Sequence, residues 1–338
     1  MARRDQHVSL AHGNGGRLMR ELIEELFVPA LGNPLLDTCA DAVGLPTPDD
    51  LELVVTTDGF TVQPLEFPGG NIGSLAVHGT VNDLAVSGAQ PRFMTLSTFL
   101  EEGLPIETLR RVIASMAEAA RECGVAVVAG DTKVLGRGDC DGIYLAATGV
   151  GFRPRGTALA LGQVRAGDRI LVSGPVGDHG AAVLLARQEF GLRGDLESDA
   201  ASVLPEAQAL LAVPGLRFMR DPTRGGLATT LNELATQSGC GMVIRERDLP
   251  VKPQVAAACE FLGLDPLYVA NEGKLVAIVP GADAARLLAA MRAHPLGRDA
   301  AIVGEVIQDS LHFVQMETSF GGRRNVDWLT GEQLPRIC

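Results

Sequence analysis

Three aspartates in the first half of the chain are placed where they could bind a metal ion. Asp58 follows the β-rich run 51–57 and Asp131 follows the run 125–129, so both are predicted at the carboxyl ends of strands. Asp83 lies in the stretch 71–88, whose small residues at near-helical spacing predict a tightly packed helix. A buried carboxylate is costly unless a cation or hydrogen bonds compensate it. We therefore predict that these three carboxylates bind magnesium, which nucleotide phosphates would share.

Each of these residues also has a simpler interpretation. A single aspartate at the end of a strand is commonly a turn former, and Asp83 could instead pair with an arginine or be capped locally. Asn82 is as conspicuous as Asp83 among apolar neighbours, whereas we interpret His78 as a packed helix residue. Two such aspartates in one domain, Asp58 and Asp131, the second of them followed by Lys133, nevertheless indicate a site.

Glycine-rich turns precede several predicted helices. The first consists of His12, Gly13, Asn14, Gly15 and Gly16 and comes just before the helical pattern of 17–27. Glycines in such a place let backbone N–H groups face a phosphate, although an ordinary N-terminal turn has the same composition. The turns 173–180 and 220–226 have the same relation to later helices, so each could bind an anion at a helix N-terminus. Their aspartates, Asp178 and Asp221, could equally be simple N-caps.

Two residues near the C-terminus could take part in catalysis. Glu272 lies in a loop before a predicted strand, where a general base could sit, although a solvated loop glutamate has the same sequence context. Cys338 is the last residue of a polar segment that begins at Trp328. Ten extended residues reach roughly 33 to 36 Å, so Cys338 could be a reactive thiol on a movable arm or an accidental cysteine at a frayed end. Prenylation is excluded because it requires a cysteine fourth from the end.

The elements that must position these residues form two predicted domains and a tail. In residues 1–155, four strands and three helices make an α+β domain. In residues 156–327, strands and helices alternate as in an α/β layer arrangement. Residues 328–338 are predicted to be a mobile tail. The predicted fold class is therefore a two-domain α+β and α/β protein with a flexible C-terminus.

Composition excludes several classes of function. The formal charge of −12 and the lack of a basic stripe argue against nucleic-acid binding. No secretory signal and no apolar run of transmembrane length is found. The five other cysteines have no C-x-x-C spacing, which argues against a zinc site and indicates a protein of the reducing cytoplasm. We interpret them as small side chains of the core. They are Cys39, Cys123, Cys140, Cys240 and Cys259.

Together these segments resemble the HypE family of hydrogenase maturation factors. That family belongs to the superfamily of aminoimidazole ribonucleotide synthetase, selenophosphate synthetase and thiamine-phosphate kinase. The resemblance runs essentially end to end, without departure at any motif, and the terminal tetrapeptide is its most specific part. The motifs are His12–Gly16, Thr56–Gly59, Pro68–Gly73, Val81–Ala85, Gly130–Val134, Asp221–Gly226, Asn271–Gly273 and Pro335–Cys338.

The resemblance implies a function and a set of partners. It implies an aminoimidazole ribonucleotide synthetase-like N-terminal domain that forms a homodimer and binds ATP and Mg²⁺. A HypF carbamoyltransferase would load the Cys338 sulfur, this chain would dehydrate the S-carboxamide to a thiocyanate, and cyanide would pass to iron on a HypC–HypD complex. The resemblance supports Glu272, with Lys133, as the base, and it adds Asn82, Asp221 and Arg224 to the nucleotide-binding residues.

Two other classes of function fit parts of the sequence. Another ATP-using member of the superfamily is one, although a selenophosphate synthetase would need a cysteine or selenocysteine near its first glycine loop, and here the nearest is Cys39. A small-molecule kinase would have no use for a terminal thiol. The chain could also be a non-catalytic scaffold whose tail docks a partner, in which case it would not turn over nucleotide.

Overall fold

The computed structural model describes residues 6–13, 17–36, 45–187 and 194–329. Along the chain these residues divide into two compact units, with the boundary between Arg155 and Gly156. Within the described residues, no helix is long and apolar enough to span a lipid bilayer.

The first unit is built on a four-stranded sheet. Its elements are the helix α1 (Arg17–Leu22), a π-helical turn (Ile23–Phe27), α2 (Val28–Leu31), β1 (Leu51–Phe60), β2 (Glu66–Phe67), β3 (Gly70–Asn71), α3 (Ile72–Val86), β4 (Gln90–Glu101), α4 (Ile106–Glu122), β5 (Ala126–Leu135) and β6 (Ile143–Pro154). The strand order is β1–β6–β4–β5, in which β4 and β5 are parallel and the other neighbours are antiparallel. The predicted strands and helices of this unit are confirmed, and the short ribbon of β2 and β3 was not predicted.

The two faces of this sheet differ in burial. Phe60, Leu145, Thr98 and Thr132 are cross-strand neighbours on one face, and all four are buried. The helix α3 packs closely on this face, since a Cβ on Gly149 of β6 would lie only 2.6 Å from Cγ2 of Thr80. The opposite face of β1 is exposed in alternate residues from Leu53 to Gly59. We call this second surface the open face of the sheet.

The second unit is built on a seven-stranded mixed sheet. Its elements are β7 (Arg169–Val172), α5 (Asp178–Arg187), α6 (Leu204–Leu211), β8 (Phe218–Arg220), α7 (Gly226–Ser238), β9 (Gly241–Arg245), α8 (Pro253–Leu262), β10 (Val276–Val279), α9 (Ala284–Arg292), β11 (Ala301–Ile307), β12 (Val314–Glu317) and β13 (Arg323–Asn325). The order is β13–β12–β9–β11–β7–β10–β8, and only β12 and β9 are parallel.

The predicted α/β character of the second unit is confirmed, but three of its elements were not predicted. The strands β8 and β13 have three residues each, too few to display an alternating pattern. The helix α6 is only eight residues long. The core of the sheet contains fully buried residues of β7, β9 and β10, among them Ile170, Met242 and Ile278.

Candidate functional site

One predicted magnesium ligand is held by a hydrogen bond between a helix and a strand. Oγ1 of Thr56, on β1, donates a hydrogen bond of 2.7 Å to Oδ2 of Asp83, on α3. Asp83 is half-buried, and Asn82 beside it is almost completely buried. The small residues of α3 allow this approach, because they let the helix lie close to the sheet. Sequence analysis did not identify Thr56 as part of the site.

Asp58 lies on the same face of the sheet as Thr56. It is two residues further along β1, about 7 Å between Cα atoms at the usual rise of a strand, and its cross-strand neighbour Ala147 is buried. Its Oδ1 accepts a hydrogen bond of 2.8 Å from the Gly59 N–H. Asp58 and Asp83 therefore offer two hard oxygen ligands on one side of the sheet, a donor set that suits Mg²⁺.

Asp131 is on the other side of the sheet. Its row of cross-strand neighbours is Ser97, Ala146 and Gly59, and Gly59 belongs to the open face. Its Oδ2 pairs with Nζ of Lys133 at 3.0 Å, and both side chains are more than half exposed. The side chains of Asp131 and Lys133 therefore share the open face, as expected for residues two apart in a strand.

The three aspartates are consequently not brought together within one chain, because Asp58 and Asp131 do not lie at strand ends as expected. Both strands continue beyond their predicted ends, so Asp58 and Asp131 lie inside β1 and β5. Three strand spacings, about 14 Å, and the thickness of the sheet separate them. Over residues 6–13, 17–36, 45–187 and 194–329, no group of three or more His, Cys, Asp or Glu is close enough to hold a metal. The magnesium site with all three ligands remains a prediction.

The first glycine-rich turn lies only partly within the described residues. Residues 10–13 form a single 3₁₀ turn, and His12 is buried. Nδ1 of His12 lies 3.0 Å from the Ser9 N–H, which donates to it, and 2.9 Å from Ser9 Oγ. This nitrogen therefore stabilises the turn. Asn14, Gly15 and Gly16 lie outside the described residues, and contact of this loop with phosphate remains a prediction.

In the second unit, the side chain of Asn271 joins three of the predicted functional segments. Its Oδ1 accepts a hydrogen bond of 2.7 Å from the Gly177 N–H, and its Nδ2 donates one of 2.8 Å to the Pro222 carbonyl oxygen. Asn271 is buried, so both groups need these partners. The loop that carries Glu272 is thereby tied to both glycine-bearing turns, 173–180 and 220–226.

Glu272 is buried rather than solvated, with 7% of its surface exposed. Its backbone N–H donates to Oδ1 of Asp199 at 3.2 Å, and the carboxylate of Asp199 also pairs with Nζ of Lys274 at 3.1 Å. Asp199 was not identified from the sequence, because it lies in a segment without a repeating pattern. Lys274 could have been found as the fourth residue of the Asn-Glu-Gly-Lys tetrapeptide.

The other predicted residues of this unit differ in environment. Arg224 is exposed and Asp221 is half-buried. Asp221 is not the N-cap of α7, because Gly225 occupies that position with a φ of 73°. Asp178 is the first residue of α5 and is buried, with Oδ2 2.8 Å from Nζ of Lys252. Burial raises the pKa of Asp178, although Lys252 opposes this effect.

Four cysteines are buried free thiols, as predicted: Cys123, Cys140, Cys240 and Cys259. Burial raises the pKa of both Cys140 and Cys259 to about 11. A thiol with such a pKa is almost entirely protonated at neutral pH and is a poor nucleophile. Cys39 and the predicted reactive residue, Cys338, lie outside the described residues.

Comparison with known proteins places the whole chain in one family. Residues 39–152 match the family model of the AIR synthase related protein N-terminal domain, and residues 165–317 match that of its C-terminal domain. A carbamoyl dehydratase HypE from Azotobacter vinelandii is 56% identical over 336 residues, which cover 99% of this chain and 98% of the relative.

Solved structures agree with this relationship. A crystal structure of the hydrogenase maturation protein HypE in complex with ATP has a TM-score of 0.92 and 46% identity, over 98% of this chain and 99% of that one. A HypE–HypF complex contains a chain with a TM-score of 0.79 and 43% identity, over 91% and 99% of the two chains. The chain belongs to the HypE family of carbamoyl dehydratases, in the AIR synthase related superfamily.

Proposed function

We propose that this protein uses ATP to dehydrate an S-carboxamide on Cys338 to a thiocyanate, the source of the cyanide ligand on the iron of [NiFe]-hydrogenase. The observation that carries this proposal is the end-to-end match to carbamoyl dehydratases, together with a relative of 46% identity solved in complex with ATP. The reaction takes place in the cytoplasm, where thiols are kept reduced.

ATP acts as a dehydrating agent because an amide oxygen is a poor leaving group. The carboxamide oxygen attacks the γ-phosphorus, the bond from that phosphorus to the β,γ-bridging oxygen breaks, and ADP leaves. The carboxamide nitrogen loses one proton to give an O-phosphoryl imidate. Loss of the second proton from nitrogen then breaks the carbon–oxygen bond, which releases phosphate and leaves the C≡N group on sulfur.

The residues of the first unit stabilise charge in this reaction. Asp58 and Asp83 would hold magnesium, and a bound magnesium ion supplies the charge neutralisation that phosphoryl transfer requires. Asn82, His12 and the glycine-rich loop 13–16 contribute to nucleotide binding in this proposal. Asp131 lies on the open face and does not reach a magnesium ion on Asp58 and Asp83 within one chain, so its part as the third ligand remains a prediction.

Glu272 is the base that removes the protons from the carboxamide nitrogen. Its burial supports this role, since a carboxylate shielded from water interacts strongly with a proton donor. Lys133 is the second residue of the proposed catalytic set, and its ammonium favours developing negative charge on the phosphoryl group. Asp221 and Arg224 belong to the nucleotide-binding residues of the second unit.

Three partners complete the proposal. A HypF carbamoyltransferase loads Cys338, which is supported by the solved HypE–HypF complex of a 43% identical relative. A HypC–HypD complex accepts the cyanide. A second copy of the chain packs against the open face of the first unit, where Leu53 and Val55 expose apolar side chains.

Intact-mass measurement tests this function directly. Protein incubated with the carbamoyltransferase, carbamoyl phosphate, Mg²⁺ and ATP should first gain one carbamoyl group and then lose the mass of one water. Cys338→Ala should neither gain the group nor lose water while remaining folded, whereas Cys259→Ala, at a buried thiol, should behave as wild type. A dehydrated adduct on the Cys338→Ala protein would contradict the proposal.

A second assay separates an enzyme from a scaffold. Magnesium-dependent ATP hydrolysis is measured for loaded full-length protein and for protein truncated after Leu329. We expect turnover only in the loaded full-length protein, because the truncated chain lacks the thiol that carries the carboxamide. No turnover in either protein would support the scaffold.

A further inference from the structure

Beneath the Glu272 loop lies a buried carboxylate that the proposed reaction does not use. Asp199 is in the extended segment that precedes α6, and only 2% of its side chain is exposed. Its two oxygens face the backbone of the loop: Oδ1 is 3.2 Å from the Glu272 nitrogen, and Oδ2 is 3.4 Å from the Gly273 nitrogen. Nζ of Lys274 is 3.1 Å from the same Oδ2.

The Lys274 ammonium, 3.1 Å from Oδ2 of Asp199, favours the ionised form of this carboxyl group. Burial alone would raise its pKa, but the Lys274 ammonium and the hydrogen bonds from Lys274 and the Glu272 N–H outweigh this effect and hold the pKa below its usual value. An ionised acceptor forms stronger hydrogen bonds with backbone N–H groups than a neutral one does.

The loop is also fixed by close backbone contact. A Cβ on Gly273 would lie 1.8 Å from the Asp199 carbonyl oxygen, so the two chain segments can approach only because residue 273 is a glycine. On the other side of Glu272, the buried side chain of Asn271 is bonded to Gly177 and Pro222. The backbone of Glu272 is therefore held on both sides.

We propose that Asp199, with Lys274 as its counter-ion, is a positioning residue that fixes the direction of the Glu272 side chain. This inference rests on the proposed function, in which Glu272 is the base. Neither residue needs to touch substrate. A buried ion pair is a poor way to gain stability, since well-packed apolar residues do as well or better. Two N–H groups held by one carboxylate do, however, define the orientation of a short loop.

The test compares Asp199→Asn and the double variant Asp199→Asn, Lys274→Met with wild type. Asparagine at 199 keeps the size of the side chain but removes its charge, and it can no longer accept both N–H groups with equal strength. The double variant also removes the unpaired cation, so we expect it to recover the melting temperature that Asp199→Asn loses. At saturating ATP, the rate of water loss from the preloaded carboxamide should be at least about tenfold lower than in wild type in both variants. The KM for ATP should stay within about twofold of wild type, because nucleotide contacts are unchanged.

Asp168→Asn is the matched control. Asp168 is also buried, pairs with Nε of Arg217 at 2.8 Å and accepts the Arg165 N–H at 2.8 Å. It lies at the opposite end of β7 from the turn 173–180, and it holds no part of the Glu272 loop. It should lose stability as Asp199→Asn does, but keep the wild-type rate per folded molecule.

Hydrogen exchange of the backbone amides of Glu272 and Gly273 supplies a readout that does not depend on activity. In the double variant these amides should exchange about tenfold faster, because each loses a hydrogen bond to a charged acceptor. Unchanged exchange would overturn the positioning role whether or not the protein loses water from its carboxamide. A wild-type rate in the double variant, or an equal loss of rate in Asp168→Asn, would overturn it as well. Absence of water loss in wild type, with faster exchange in the variant, would instead contradict the proposed function alone.

Discussion

Thr56 is not a predicted metal ligand, but its hydroxyl orients one of them, Asp83. Its hydroxyl is bonded to one carboxylate oxygen of Asp83, which leaves the other oxygen in a defined direction. Groups that orient a metal ligand in this way commonly contribute a factor of about 10 to 100 in metal affinity. The Thr56 hydroxyl should therefore matter for Mg²⁺–ATP binding although it is not itself a charged ligand.

We expect Thr56→Val to weaken Mg²⁺–ATP binding by about tenfold, and Asp83→Asn to weaken it further because a charged oxygen ligand is lost. Isothermal titration at fixed Mg²⁺ measures both. Thr57→Val is the matched control, because Oγ1 of Thr57 donates to the Ala147 carbonyl oxygen and its side chain is on the open face. Equal affinities for Thr56→Val and wild type would show that Asp83 does not need this bond to bind the ion.

The sequence suggested candidate residues but not how they lie relative to one another. Asp58 and Asp83 were proposed as ligands from their sequence contexts, whereas Glu272 was proposed as a base only through the resemblance and was otherwise expected to be solvated. Its backbone N–H donates to Asp199, which is 73 positions away along the chain and belongs to no recognisable pattern. A partner at that separation is fixed by the tertiary fold, so neither local propensity nor periodicity can reveal it.

At the scale of elements, the lengths of β1 and β5 determine the shape of the predicted metal site. The sequence predicted strands that end at Thr57 and Ala129, which would place both following aspartates at one edge of the sheet. Pairing with β6 and β4 extends the strands to Phe60 and Leu135. Successive side chains of a strand point to opposite faces of the sheet, so the pairing register decides which face each residue occupies. This register is fixed only in the folded sheet, and it places Asp58 and Asp131 on opposite sides.

Two histidines in helices, the buried His179 and the partly buried His78, should make the protein sensitive to mild acid. Burial lowers the pKa of His78, on α3, and of His179, on α5, to about 4. Their unfolded pKa is near 6.5, so between these values the unfolded chain binds protons that the folded chain does not. Stability is therefore present above pH 6.5 and is lost as the pH falls towards 4. The lowered pKa of Asp199 also makes the stability fall as the pH decreases, at lower pH than the histidines do. The raised pKa of Asp178 has the opposite effect on stability.

We expect the free energy of unfolding to fall by up to about 3 kcal/mol per buried histidine between pH 6.5 and 4. Urea unfolding at several pH values measures this slope. His179→Gln should make the slope shallower, since glutamine does not titrate and can still bond to Ser198 Oγ, which lies 2.8 Å from Nδ1 of His179. His7→Gln, at an exposed position, should leave it unchanged. A slope that is the same in His179→Gln and wild type would contradict the assignment.

For the whole molecule, the two-domain organisation and the family could be predicted from the sequence, because the motifs are spread along the entire chain. The terminal Pro335–Cys338 segment distinguished this family from others of its superfamily. Composition did not predict the open face of the first unit. The side chains of Leu53 and Val55 are 52% and 57% exposed, although their alternation with half-buried residues resembles that of an ordinary strand with one buried face. Burial of the open face would depend on contact with a second molecule, which the sequence of one chain does not reveal.

We expect the protein to be a dimer in solution that associates through the open face. An exposed sheet face with apolar residues is unfavourable in water, and so is an edge strand such as β1, whose outer side has no neighbouring strand among the described residues. Val55→Glu would place a charge in the centre of the interface and should give monomers, as measured by sedimentation velocity at micromolar concentration. Leu311→Glu is the matched control, because Leu311 is 65% exposed but belongs to the second unit, and it should remain dimeric. Wild-type protein that sediments as a monomer, or an unchanged dimer in Val55→Glu, would exclude this face as the interface.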